Sequence, residues 1–179
     1  MMCKKIDLFG LLIFLFHLIG MFGLSSDNLS SIFLDLVPLN LLLTFLYCYK
    51  FSPLERHYKI SGFIFTFGFL VEVFGVKTGL LFGEYSYGYP LGLKFLDVPL
   101  IIGINWLILA ICSYGLISYF INYLFPKVIL SSILMVLIDI LIEPVAINLG
   151  FWSWDLIDIP IKNYFMWFIV SFIINYSLA

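Results

Sequence analysis

The sequence predicts an all-α integral membrane protein. Of its 179 residues, 63% are hydrophobic and only 11% are charged, whereas soluble domains have roughly 45–50% apolar and about 25% charged residues. The apolar residues form long runs, and a helix of about 20 such residues spans the hydrocarbon core of a bilayer. A soluble fold of this length could not bury so much apolar surface, so we predict a multi-pass protein that faces lipid.

Six segments are predicted to form transmembrane helices. The first follows Lys4 and Lys5 like the apolar region of a secretory signal, but the run is long and no A-x-A cleavage site follows it. The predicted helices cover residues 8–24, 32–50, 60–76, 99–124, 128–148 and 163–179. We treat residues 1–179 as a single polytopic domain. Within it, two leading spans (1–59) precede two hairpins, at 60–124 and 127–179.

The loops between these helices set the expected orientation. Two of them, Ser25–Ser31 and Phe125–Lys127, are short. Six Lys and Arg residues fall on the side of the N-terminus, against three on the other, and cytoplasmic loops carry the excess of positive charge. The six are Lys4, Lys5, Lys50, Arg56, Lys59 and Lys127, and the three are Lys77, Lys94 and Lys162. We therefore expect both termini in the cytoplasm and the chain in the inner cell membrane.

The third and fifth loops share a sequence pattern. The third reads GEYSY at 83–87 and DVP at 97–99, and the fifth reads GFWSW at 150–154 and DIP at 158–160. Each proline is followed seven residues later by a tryptophan, Trp106 or Trp167. Each motif glycine is preceded by an acid eleven residues earlier, Glu72 or Asp139. We interpret the two hairpins as a parallel repeat, which would place a site at their interface.

Acidic side chains within the predicted spans indicate where that site lies. A charged group at the bilayer centre costs at least about 2.5–3.5 kcal/mol, so such residues tend to face a bundle interior or a wet cavity. Asp139 and Glu143 are four residues apart and share one helical face, and Pro144 follows directly. Apart from Asp35, the acidic residues of the spans fall in one layer beneath the third and fifth loops. We predict a pocket there that includes Glu72, Asn105, Asp139, Glu143, Asn163, Tyr85, Tyr87, Trp106, Trp152, Trp154 and Trp167.

This composition suits acid catalysis on an alkene. A carboxyl group in an apolar site beside a second carboxyl group favours its protonated form, so one of Asp139 and Glu143 is expected to serve as general acid. Aromatic faces stabilise a nearby cation by about 2 kcal/mol or more where water is excluded. A second carboxylate could activate water to trap a carbocation. The cysteines and histidines have no metal-site spacing, and we expect neither a metal nor another cofactor.

The same residues resemble the bacterial carotenoid hydratase family, the CruF-type carotenoid biosynthesis proteins. The resemblance covers residues 70–167. Its first half runs from Glu72 through the motif at 83–87 to Trp106, and its second half from Asp139 to Trp167. It implies a cofactor-independent hydro-lyase that adds water to the terminal double bond of an acyclic (ψ) carotenoid end, with Glu72, Asp139 and Glu143 as the carboxylates of the site. Glu143 stands where the family pattern has an Asp before the proline.

Two alternatives use parts of the same pattern. An acid-catalysed carotenoid end-group cyclase would share the proton and the cation, but would exclude water and leave the product mass unchanged. A small proton-coupled transporter would use the intramembrane acids as a proton relay. The expected partners are a carotenoid substrate, the lipid bilayer and other enzymes of the carotenoid pathway. Nucleic acid is excluded as a partner because no basic patch is present.

Overall fold

The computed structural model describes residues 8–52, 58–156 and 158–179, and in these ranges it has six helices. They are α1 (Leu8–Leu24), α2 (Ser30–Phe51), α3 (Tyr58–Thr78), α4 (Ile101–Phe120), α5 (Leu124–Asn148) and α6 (Ile161–Ser177). A helix lies at every position where the hydrophobic runs predict one. Lys4, Lys5 and Arg56, which enter the orientation argument, lie outside the described residues.

The turn between α4 and α5 differs from the prediction. Phe125–Lys127 was expected to be a loop, but these residues form the first turn of α5, and α4 already ends at Phe120. The difference arises from Pro126, because a proline in the sequence predicts an interruption of the helix. Within the first turn of a helix a proline is well tolerated, because the backbone N–H that it lacks would have no intrahelical partner there.

Helix length and composition match a membrane environment. Among the described residues, α2, α3, α4 and α5 are long and apolar enough to cross a membrane, and α1 is a shorter apolar helix of 17 residues. Large apolar side chains point outward, as Phe120 and Leu141 do, whereas Glu72, Asp139 and Glu143 are buried. Soluble proteins have the opposite arrangement, because their charged residues are almost never fully buried.

The helices pack as two hairpins with a leading pair beside them. α3 packs against α4, α5 packs against α6, and α4 and α5 join the hairpins. α2 lies along α4, and α1 contacts α2. The core of the bundle includes Ile64, Trp106 and Met135. Gly68 makes the close approach of α3 and α4 possible, because a Cβ at this position would lie 2.7 Å from the Trp106 ring.

The described part of the long loops contains four short strands that the sequence did not predict. They are β1 (Tyr85–Tyr87), β2 (Lys94–Phe95), β3 (Val98–Pro99) and β4 (Trp152–Trp154). β2 and β3 form a local antiparallel pair. β1 pairs antiparallel with β4, so the loop of one hairpin is bonded to the loop of the other. This pairing closes one end of the four-helix bundle α3–α6.

Candidate active site

A cavity of about 40 Å³ lies beneath the paired loops. A cavity needs a volume of at least roughly 10–15 Å³ to hold a single water, so this one has room for a few water molecules. All eleven predicted site residues line it, and so do Phe82, Ile102 and Ile142, which the sequence argument missed. Asp35, also an acid within a predicted span, does not line the cavity and is exposed on α2.

Glu72 is the carboxylate that receives the most hydrogen bonds. It projects from α3 and is only 4% exposed. The hydroxyl groups of Tyr85 and Tyr87 donate to Oε2 over 2.6 and 2.8 Å, and the indole of Trp106 donates to Oε1 over 3.2 Å. Burial raises the pKa of the Tyr85 and Tyr87 hydroxyl groups, and the negative charge of Glu72 raises it further, so both stay protonated as donors.

Glu143 receives the aromatic residues of the second hairpin in a similar way. The indole N–H groups of Trp152 and Trp154 both donate to Oε2, over 2.9 and 3.1 Å. The two tryptophans have the same offsets from Gly150 that the two tyrosines have from Gly83. Each loop therefore presents two polar aromatic side chains to one buried carboxylate oxygen.

Asp139 has a different environment. It lies one helical turn before Glu143 on α5, is 3% exposed, and accepts a 3.2 Å hydrogen bond on Oδ2 from the side-chain amide of Asn163. Asn163 lies in the first turn of α6, where its backbone N–H donates to the Pro160 carbonyl. The second hairpin thus contributes two carboxyl groups from one face of α5.

Matching positions of the two hairpins meet at the site. Trp106 and Trp167 stack with ring centroids 4.3 Å apart. Ser86 and Ser153 face each other with their Oγ atoms 3.2 Å apart, and Tyr85 and Tyr87 pair with Trp154 and Trp152 in the strand register. The aromatic side chains therefore form walls around the three carboxyl groups.

Lysine side chains stabilise the loop that carries β1. Lys77 forms an ion pair with Asp97, which lowers the pKa of that carboxyl group, and Lys94 donates to the Tyr87 carbonyl. Lys162 of α6 donates to the Gly79 carbonyl over 2.8 Å. In the sequence these lysines indicate only the orientation, because their pairing depends on tertiary contacts that no local pattern reveals.

The chemistry of the lining suits proton transfer more than metal binding. Within the described ranges, no group of three or more His, Cys, Asp or Glu side chains is arranged to hold a metal ion. The cavity instead brings together three carboxyl groups, two amides and several aromatic rings. Carboxyl groups can deliver and accept protons, and aromatic faces can hold a cation.

Comparison with known proteins identifies the family of this chain. A family model described as carotenoid biosynthesis protein matches residues 32–179. A bisanhydrobacterioruberin hydratase from Haloarcula japonica is 30% identical over 105 residues, which are 54% of this chain and 36% of the relative. The chain therefore spans little more than a third of the length of that curated relative. No solved structure matches. The family model covers well over half of the chain, and the protein belongs to the carotenoid biosynthesis protein family.

Proposed function

We propose that the protein is a membrane-embedded hydratase that adds water to the terminal double bond of an acyclic (ψ) carotenoid end without a cofactor. The observation that carries the proposal is the cavity itself, in which buried carboxyl groups, aromatic walls and room for water occur together. Membership in a carotenoid biosynthesis family and similarity to a protein named as a hydratase support the same substrate class and reaction.

The reaction needs one acid, one base and one water. Protonated Asp139 or Glu143 transfers its proton to the less substituted carbon of the terminal double bond, and the π electrons form the new C–H bond. A tertiary cation remains, which the faces of the Trp and Tyr side chains stabilise. Water held by a carboxylate or by Asn163 attacks the cation, and the new C–O bond gives a tertiary alcohol. The proton lost by the water returns to the carboxyl groups, so the site is unchanged after each turnover.

We further propose that all six helices cross the inner membrane and that both termini are cytoplasmic. On this topology the site lies in the outer half of the bilayer, beneath the paired loops. α1 and α6, with 17 residues each, are within the range of about 17–25 residues for spanning helices. Residues 1–59 would then form the leading pair, and 60–124 and 127–179 a parallel repeat. The contacts between matching positions of the two hairpins support that repeat.

Labelled water tests the reaction directly. Membranes that contain the protein are incubated with lycopene, an acyclic carotene, in oxygen-18 water, and the pigments are analysed by mass spectrometry. The proposal predicts a product heavier by one water with the label in its hydroxyl group. An isomer of unchanged mass would establish the cyclase alternative in its place.

A further inference from the structure

The three carboxyl groups of the cavity differ in how their oxygens are used. Both oxygens of Glu72 accept hydrogen bonds, from three donors in total. Within the described part of the chain, Oε1 of Glu143 and Oδ1 of Asp139 receive no hydrogen bond. Only these two groups therefore offer the cavity an oxygen that is not already occupied.

We infer that Glu72 is a positioning residue, and that Asp139 and Glu143 are the reacting carboxyl pair. This inference rests on the proposed hydratase function and divides its roles. A carboxylate that takes part in proton transfer must reach its partner within about 2.6–3.2 Å. On Glu72 the reacting partner would have to share an oxygen with at least one of the three donors. Asp139 and Glu143 each offer an oxygen that no donor among the described residues shares.

The donors of Glu72 show what it positions. Tyr85 and Tyr87 belong to β1, and Trp106 belongs to α4. A single side chain on α3 thus holds the strand that covers the cavity and one ring of the tryptophan stack. The close approach at Gly68, one turn before Glu72, brings the Trp106 ring against α3. Glu72 is therefore placed to set the shape of the aromatic walls.

In the second hairpin a carboxylate also binds the aromatic pair of the loop, and a further carboxyl group lies nearby. Its aromatic pair is held by Glu143, seven residues before Gly150, whereas Glu72 lies eleven residues before Gly83. The position that matches Glu72 is occupied by Asp139, which takes no part in holding the loop. The second hairpin therefore provides both an anchor and an additional carboxyl group one turn away, and we assign the proton delivered to the alkene to Asp139.

A set of variants separates positioning from catalysis. Glu72→Gln keeps the length of the side chain and one acceptor oxygen, whereas Glu72→Leu removes both oxygens. We expect Glu72→Gln to lower kcat less than about tenfold and Glu72→Leu to raise KM strongly. Asp139→Asn should lower kcat by at least about 100-fold, because general acid catalysis contributes 10²–10⁴-fold. Equal losses of kcat in Glu72→Gln and Asp139→Asn, with KM unchanged, would overturn the inference.

A second set tests the hydrogen bonds while Glu72 is intact. The double variant Tyr85→Phe/Tyr87→Phe removes two of its donors and should raise KM as Glu72→Leu does. Combined with Glu72→Leu it should cause no further loss, because the tyrosines act through Glu72. A wild-type KM in the tyrosine variant, or fully additive losses, would contradict the inference. A wild-type protein that forms no hydrated pigment would instead refute the proposed function, so the two failures are distinguishable.

Discussion

The indole rings of Trp106 and Trp167 stack 4.3 Å apart, at an interplanar angle of 25°. Each follows the proline of its own D-x-P motif by seven residues, so the contact joins matching positions of the two hairpins. Ser86 and Ser153 also meet at matching positions. A two-fold axis relating the hairpins would pass through both contacts. Such contacts are expected if the site formed where two copies of one hairpin met.

Removal of one stacked ring should lower the free energy of unfolding of the bundle. Trp106 is 1% exposed, and truncation of a buried aromatic residue to alanine costs about 3–5 kcal/mol. Thermal unfolding in detergent should therefore show a clearly lower Tm for Trp106→Ala. Phe120→Ala is the control, because this ring is 71% exposed and its removal should change stability by less than about 0.5 kcal/mol. Equal Tm values for both variants would contradict the packing.

The junction between the two loops depends on Gly88. Its backbone N–H donates to the Phe151 carbonyl over 2.8 Å, and a Cβ at this position would lie 1.8 Å from the Gly150 carbonyl oxygen. Gly88→Ala should therefore separate β1 from β4 and abolish activity, measured as product formed per amount of folded protein.

Gly115→Ala is the matched control for that substitution. Gly115 lies within α4 and a Cβ there would meet no atom within 4 Å, while alanine is favoured over glycine in a helix by about 1 kcal/mol. This variant should be as stable as the wild type or more so, and fully active. A Gly88→Ala protein with wild-type activity would show that the loops do not pair in this way.

The indole donors of Glu143 should matter for rate. Trp152→Phe and Trp154→Phe keep an aromatic face but remove the N–H groups that bind Glu143. A hydrogen bond to a charged group is worth about 1.5–3 kcal/mol, so we expect each variant to lose about 10–100-fold in kcat/KM. Tyr119→Phe is the control, because this side chain is 84% exposed and does not line the cavity. Unchanged kcat/KM in both tryptophan variants would contradict the assignment.

Two cysteines report on the packing of α2 against α4. The Sγ atoms of Cys48 and Cys112 are 3.8 Å apart. In a Cys3→Ser background, oxidation with copper phenanthroline should join the two thiols and block their reaction with maleimide–polyethylene glycol. With Cys48→Ser added, Cys112 should remain reactive. Two free thiols after oxidation in the parent protein would place α2 elsewhere.

The helices could be predicted from sequence because hydrophobic runs record them directly. The prediction for the α4–α5 turn was wrong because Pro126 lies in the first turn of α5. Proline interrupts the interior of a helix but is well tolerated in its first turn. Strands β1 and β4 could not be predicted, since they form only by pairing with each other, about 65 residues apart along the chain. Short segments of this kind owe their structure to tertiary contacts more than to local preference.

The polar lining of the cavity could be predicted because polar residues contrast with the apolar runs around them. Phe82 and Ile142 were missed because an apolar lining residue has no such contrast in a hydrophobic chain. Ile102 could have been found, since it lies three residues after Pro99, as Asn163 does after Pro160. The division of donors among Glu72, Asp139 and Glu143 is a matter of distances, which spacing along a helix does not determine.

The most direct test expresses the protein in a host that accumulates lycopene and compares it with Asp139→Asn, which changes one oxygen of the carboxyl group into an amide nitrogen. Equal amounts of the two proteins in the membrane are confirmed first, and the pigments are then analysed by mass spectrometry. We predict a new pigment heavier by one water with the wild type and none with the variant. The same hydrated pigment from both proteins would contradict Asp139 as the acid, and its absence from both would contradict hydration of this substrate.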